Sequence, residues 1–167
     1  MRSISSKYIG IITGIAMVLV SLLMFYVLKF PAFGEGQRQY FVWTVYVAGI
    51  ICSLVAFKAK PGEHSFKEYF SEGFKTFIVA ALIIVVYSFI FHKLNPQILE
   101  KAIADNNAMA IKEGTHTAPE IADNAEKLRK IFIVGILMTN TVIYLLLGSL
   151  VSMIGGGILS QKKDYAQ

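Results

Sequence analysis

The chain has 167 residues, of which 55% are hydrophobic and 16% charged, and its formal net charge is +5. An ordinary globular domain is about 45–50% apolar, so this composition favours a membrane protein over a soluble one. The positive charge does not indicate nucleic acid as a partner, because no run of Lys and Arg is interleaved with aromatic residues. The lone Cys52 excludes an internal disulfide bond.

Four stretches without a charged residue divide the chain. They cover residues 8–28, 39–57, 76–91 and 131–161, and basic residues bound each of them. A bilayer-spanning helix needs about 20 mostly apolar residues, and continuous rather than alternating apolar runs favour helices over barrel strands. The sequence therefore predicts four transmembrane helices.

The predicted architecture is an all-α, polytopic membrane protein with a single domain, residues 1–167. The four spans are placed at about 8–28, 39–57, 76–92 and 131–155, and a helical extramembrane loop at about 93–130 connects the last two. The first run has 21 residues, longer than the roughly 7–15 residues of a signal-peptide core. Residues 29–33 also lack a small-x-small cleavage pattern, so we expect the first span to be retained as a signal anchor.

An even number of spans places both termini on one side, and the distribution of basic residues predicts which side. The side of the termini carries Arg2, Lys7, Lys58, Lys60, Lys67, Lys75, Lys162 and Lys163, whereas the other carries Lys29, Arg38, Lys93, Lys101, Lys112, Lys127, Arg129 and Lys130. The counts are equal, but the first group lies in shorter segments next to the membrane. The positive-inside rule then favours cytoplasmic termini.

An aromatic helix is expected to lead into the third span. Ser65 and Glu68 form a capping-box pattern. Four phenylalanines follow at spacings of four and three, which places them on one helical face: Phe66, Phe70, Phe74 and Phe77. This face is typical of an amphipathic helix at the membrane interface, and it is equally compatible with aromatic rings that pack on neighbouring spans.

The 93–130 loop contains signals for two further helices. Asn95 and Pro96 are suitable N-cap and first-turn residues, and we expect their helix to end near Glu113, with Gly114 in the left-handed position that follows. Pro119 opens another helix, which we expect to continue into the fourth span.

Three segments resemble a family of bacterial four-span membrane proteins that is known only as a domain of unknown function. They are FKEYFSEGFKTF at 66–77, LNPQILE at 94–100, and GGGIL at 155–159 ahead of the lysines at 162–163. The resemblance covers nearly the whole chain. It implies a membrane location, here the bacterial inner membrane, and four helices. It implies no activity and gives no residue a catalytic role.

The sequence provides no constellation for catalysis, and we expect no enzyme activity, no cofactor and no metal. Proton-coupled transporters place ionisable residues within their spans, and these four spans contain no Asp, Glu, Lys or Arg. His64, His92 and His116 are well separated and form no pair with zinc-ligand spacing.

The candidate site residues are those expected to make helix–helix contacts. Gly10 and Gly14 form a small-x-x-x-small pair, and Gly148, Ser152 and Gly156 continue to Ser160 as a stripe with a period of four. Small residues permit close approach of helices in lipid. The partner of the stripe is another span of the same chain, with the first span as the leading candidate, or another subunit; alternatively, the glycines at 155–157 end the helix.

Asn140 is the central polar residue of the fourth span, and three roles are compatible with it. It could bond a partner helix, contact a substrate, or satisfy its amide locally.

Two classes of function follow from these features. The first is a non-catalytic structural or accessory component in the lipid bilayer, which assembles with itself or in a membrane complex through the small-residue faces. The second is a small oligomeric transporter or channel subunit without intramembrane charge coupling.

Overall fold

The computed structural model describes residues 5–29, 37–114 and 116–161, and every regular element within them is helical. The helices are α1 (Ser6–Leu22), which continues as a π-helical turn (Leu23–Val27), α2 (Gln37–Lys58), α3 (Phe66–Leu94), α4 (Gln97–Glu113) and α5 (Ala118–Ser160). The all-α prediction is confirmed for these residues. Arg2, Lys162 and Lys163, which entered the orientation argument, lie outside them.

Four of the described helices are long and apolar enough to cross a membrane. They are Ser6–Val27, Gln39–Lys58, Phe66–Leu94 and Ala118–Ser160. These helices contain the four charge-free stretches to within one or two residues, because an uninterrupted apolar run of this length satisfies its backbone hydrogen bonds in lipid only as a helix. The prediction of a four-span helical membrane protein is confirmed.

The third helix begins with the predicted capping box. The backbone N–H of Ser65 donates to the Glu68 carboxylate at 2.8 Å, and the Glu68 N–H donates back to the Ser65 hydroxyl at 3.4 Å. The helix then continues without interruption through Leu94. Its aromatic face divides between two environments, since Phe74 is 45% exposed whereas Phe77 is 1% exposed and belongs to the core.

A tight turn at Gly114 separates α4 from α5. Gly114 has φ 65°, the left-handed conformation predicted for it. Helix α5 begins with a second capping box, between Thr117 and Glu120, which was not predicted from the sequence. Helix α5 has 43 residues, about 64 Å at 1.5 Å per residue, so it extends well beyond the roughly 30 Å hydrocarbon layer.

One local prediction is wrong, and one alternative is excluded. Asn95 does not cap α4; it lies at the end of α3, where its amide donates to the Phe91 carbonyl at 2.8 Å, and Pro96 occupies the N-cap position. The glycines at 155–157 do not end α5, which continues to Ser160. Packing explains the second result, because Gly156 is buried against α3.

Helix α3 is the centre of the bundle, with extensive contacts to α1 and α5, and α2 packs against α1, α3 and α5. The core joins large side chains of α1, α2, α3 and α5, among them Met17, Tyr46, Ile50, Leu54, Phe77 and Tyr144. A smaller cluster around Phe91, Ile98 and Phe132 attaches the start of α4 to the bundle.

Candidate functional site

A cavity of about 380 Å³ lies in the half of the bundle that is next to α4. Its lining comes from α1, α2, α3 and α5, and consists of Ser21, Gln39, Val42, Ile84, Tyr87, Ser88, His92, Leu128, Ile131, Phe132, Gly135, Ile136, Thr139, Asn140 and Tyr144. Eight of these fifteen side chains can form hydrogen bonds, and no Asp, Glu, Lys or Arg is among them. The lining therefore combines hydrogen-bonding groups with a larger apolar surface, and it contains no carboxylate, ammonium or guanidinium group.

The first turn of α2 lies at the cavity. Gln39, in the first turn of α2, donates its amide N–H to the Tyr144 hydroxyl at 3.0 Å. From Tyr144 back to Leu128, α5 rises by about 24 Å, and α1 and α3 accompany it as far as the contact between Tyr26 and Asn95. Within the described residues, α2 contributes Gln39 and Val42 to the lining, and the other lining residues lie on α1, α3 and α5.

One wall is a hydrogen-bonded group that connects α5 to α3. The Asn140 amide N–H donates to the Ser88 hydroxyl at 3.2 Å. His92 Nδ1 lies 2.7 Å from the Ser88 carbonyl oxygen, which can only accept, so Nδ1 carries the hydrogen in this contact. That contact fixes the orientation of the imidazole.

Tyr144 forms the floor of the cavity, and Tyr46 packs against it from outside the lining. The Tyr46 hydroxyl donates to the Tyr144 carbonyl at 2.8 Å, and the rings pack edge to face with centroids 5.1 Å apart. Both residues are almost fully buried. The Tyr87 hydroxyl, on α3, donates to the Ser21 hydroxyl of α1 at 3.2 Å.

Helix α4 is anchored beside the cavity by one apolar and one ionic contact. Ile98 is buried against Phe91 and Phe132. Arg129, next to the lining residue Leu128, donates to both carboxylate oxygens of Glu100, at 3.0 Å and 3.4 Å. These hydrogen bonds, together with the charge of the guanidinium, hold the pKa of Glu100 below its ordinary value.

Asn140 is the one predicted site residue that belongs to the cavity. Of the three roles considered for it, a bond to a partner helix is present, because its amide reaches Ser88 on α3. Its position in the lining also leaves the amide available to a bound molecule. Sequence reasoning missed Ser88, Gln39 and Tyr144, which carry no local pattern that separates them from other polar residues in membrane helices.

The predicted glycine pair of α1 faces α3. A Cβ atom on Gly10 would lie 2.7 Å from the Thr76 carbonyl oxygen, and one on Gly14 would lie 2.7 Å from Ile83 Cδ1. Any larger side chain at either position would therefore overlap with α3.

The stripe on α5 also faces another span of the same chain, but that span is α3 and not the first span. A Cβ on Gly148 would lie 2.5 Å from the Tyr46 hydroxyl and 2.6 Å from Phe77 Cγ. Ser152 sits directly on Gly73 of α3, and a Cβ on Gly156 would lie 3.3 Å from Tyr69 Cβ. The last member of the stripe, Ser160, bonds within its own helix to the Gly157 carbonyl.

Sequence reasoning also missed a buried polar group at the closely packed end of the bundle (the closed end), where α1 and α3 begin. Thr76 has no exposed surface, and its hydroxyl lies 2.7 Å from Ser53 Oγ and 3.1 Å from the Ser6 carbonyl oxygen, which connects α3 to α2 and α1. Gly49, four residues before Ser53, contacts Thr13 on α1. The spacing of Gly49 and Ser53 is a small-x-x-x-small signal that could have identified this contact.

Within the described ranges, no group of three or more His, Cys, Asp or Glu residues has the arrangement of a metal site. His64 and His116 lie outside the cavity, and His92 is the only histidine in its lining.

Comparison with known proteins identifies the family alone. No curated protein and no solved structure matches the chain. A family described as a protein of unknown function, DUF4199, matches residues 8–161. The match contains all four membrane-spanning stretches and nearly the whole chain, so this protein belongs to the DUF4199 family.

Proposed function

We propose that this protein is a non-catalytic membrane protein that binds an uncharged, partly polar molecule in the cavity between α1, α2, α3 and α5. The cavity itself carries the proposal, since its volume of about 380 Å³ lies within the roughly 300–1,000 Å³ of small-molecule sites. A formally charged ligand would lose its hydration without meeting an opposite charge in the described lining, at a cost of several kcal/mol.

The lining also indicates the form of the ligand. Ser88, His92 and Asn140 present hydrogen-bonding groups on one side, whereas Phe132 and Ile136 contribute apolar surface from α5. A molecule with hydroxyl, carbonyl or amide groups at one end and an apolar body satisfies both sides. We therefore propose a neutral amphiphile.

Ligand binding is better supported than assembly through the small-residue faces. An assembly role requires these faces to be available to another subunit, whereas α3 and α2 cover Gly148, Ser152 and Gly156 within the chain. A transport role requires a path past the floor of the cavity, where Tyr46 and Tyr144 pack together. A binding site with one closed end needs neither.

The proposed setting is the bacterial inner membrane, with both termini in the cytoplasm and the cavity in the outer half of the bundle. Support comes from the denser basic residues beside the membrane on the terminal side. In a Cys52→Ser background, an impermeant thiol reagent should label Ala108→Cys, and not Ala166→Cys, in intact cells. The reverse pattern would invert the orientation.

Filling the cavity is the test of ligand binding. A Cβ on Gly135, in the lining, would meet no atom within 4 Å, and the same is true of Gly157, which lies on α5 outside the lining. Gly135→Leu should therefore occupy the cavity without displacing a helix, and Gly157→Leu is the matched control for the glycine replacement.

Native mass spectrometry of the purified protein would measure the effect. We expect wild type and Gly157→Leu to release the same bound small molecule, and Gly135→Leu to retain at least tenfold less of it. Equal retention by all three proteins would show that the bound molecule is elsewhere, and absence of any neutral ligand from wild type would remove the proposal.

A further inference from the structure

A second concave surface lies at the other end of the bundle. This groove, with a volume of about 380 Å³, runs between α2 and α5 and is lined by Val47, Ile51, Leu54, Val55, Val151, Ile154, Gly155, Ile158 and Leu159. None of these residues has a polar side chain, and Ile51, Val55, Ile154 and Ile158 are about half exposed or more. The groove is thus an apolar channel on the outer surface of a membrane-spanning bundle.

The length of the groove is close to the thickness of one lipid leaflet. Val47 to Val55 on α2, and Val151 to Leu159 on α5, each rise by about 12 Å. Half of the hydrocarbon layer is about 15 Å thick. A helix from a second copy is about 10 Å wide, which is wider than a single acyl chain. A single acyl chain is slim enough to enter.

Positive charge stands at the membrane-surface end of the groove. Lys58 follows Val55 by three residues and Ile51 by seven, which places it on the same face of α2, and its side chain is exposed. Lys162 and Lys163, which come after Leu159 in the sequence, lie outside the described residues. An ammonium group at this depth attracts the phosphate of an anionic lipid.

We infer that the α2–α5 groove binds an anionic phospholipid, with one acyl chain between the helices and the phosphate at Lys58. The apolar walls hold the chain and Lys58 selects the head group. This site is separate from the polar cavity and does not depend on the proposed function, because the two share no lining residue.

The test compares phosphatidylglycerol with phosphatidylcholine of identical acyl chains. Delipidated full-length protein in detergent is titrated with each lipid, and native mass spectrometry counts the bound molecules. Wild type should bind the first phosphatidylglycerol more tightly than phosphatidylcholine. Lys58→Gln should weaken this preference about fivefold, the effect of roughly one basic residue near an anionic surface, whereas Lys101→Gln on α4 should not change it.

A second variant tests the groove itself. A side chain at Gly155 enters the groove, where its Cβ would lie 2.6 Å from the flexible end of Leu54. Gly155→Leu should lower the binding of both lipids severalfold, and Gly157→Leu should not. Unchanged binding in Lys58→Gln and Gly155→Leu would overturn the inference. A dimer that Gly155→Leu dissociates would instead assign the groove to a second copy of the chain.

Discussion

Small residues determine how closely the helices approach at the closed end of the bundle. Lipid tails are as apolar as leucine side chains, so helix association in a membrane depends on packing and hydrogen bonds rather than on expulsion from water. Because Gly148 has no side chain, Phe77 and Tyr46 can pack against its backbone, and Ser152 packs against Gly73 in the same way. The Ser152 hydroxyl is buried and has no hydrogen-bond partner in the described part of the chain, so its small volume matters here more than its polarity.

Replacement of Gly148 should therefore destabilise the folded single chain. The new Cβ of Gly148→Leu would lie 2.5 Å from the Tyr46 hydroxyl and 2.6 Å from Phe77 Cγ, and overpacking of this kind costs about 1–3 kcal/mol. Thermal melting in detergent should show a lower Tm for Gly148→Leu. Gly157→Leu, on the same helix and with open space at its Cβ, should melt like wild type.

Size-exclusion chromatography of the same variants separates folding from assembly. If Gly148→Leu melted normally but eluted at a different oligomeric state, the stripe would be an intersubunit surface, contrary to the contacts with α3.

At the scale of the elements, α4 is fixed to α5 by a short apolar contact and an exposed ion pair. Exposed ion pairs contribute little to overall stability, but this one joins two helices beside the cavity. Because its folded-state pKa is lowered, Glu100 stabilises the docked helix at pH values above its ordinary pKa. That contribution is lost as the pH falls through the lowered pKa.

Acid should consequently loosen α4 while the membrane-spanning helices remain folded. With spin labels on α4 and on the first turns of α5, the distance distribution should be narrow at pH 7 and broaden as the pH falls below about 4, the ordinary range of a glutamate. Glu100→Gln should broaden it already at pH 7. Asp123→Asn, which removes an ion pair within α5, should not. A narrow distribution in Glu100→Gln would show that Ile98 alone holds α4.

The elements were predictable because their signals are local. A charge-free run of sufficient length becomes a span, and Gly114 and Pro119 mark the turn between α4 and α5 in the sequence itself. The prediction that Asn95 caps α4 was wrong because the same side chain can cap the helix that follows or the helix that precedes it. Its environment decided the outcome: Asn95 is buried at the end of α3, within reach of the Phe91 carbonyl.

At the scale of the whole molecule, the bundle is tightly closed at one end and contains a polar cavity at the other. Within the described residues, the cavity lies where the register of α2 places Gln39 beside Tyr144 of α5. Register between helices arises from packing across the whole interface and leaves no periodic pattern in one sequence. The sequence therefore indicated Asn140 as a polar residue of interest but not the cavity that it lines.

The central claim is that one half of α5 faces an open polar cavity and the other half a closed contact. The rate at which a charged, water-soluble methanethiosulfonate labels introduced cysteines tests it most directly, because a thiol must ionise to react and ionises only where water reaches it. The measurement uses protein in lipid nanodiscs with Cys52→Ser as background.

Three variants on α5 give the comparison: Thr139→Cys in the cavity lining, Ser152→Cys in the closed contact, and Met138→Cys on the outer surface, where Met138 is 66% exposed. We expect Thr139→Cys to react at least tenfold faster than either of the others. If Thr139→Cys reacts as slowly as Met138→Cys, the position faces lipid and the cavity is closed to water. Equal labelling at Ser152→Cys would show that the other end of the bundle is open as well, and either result would contradict the account.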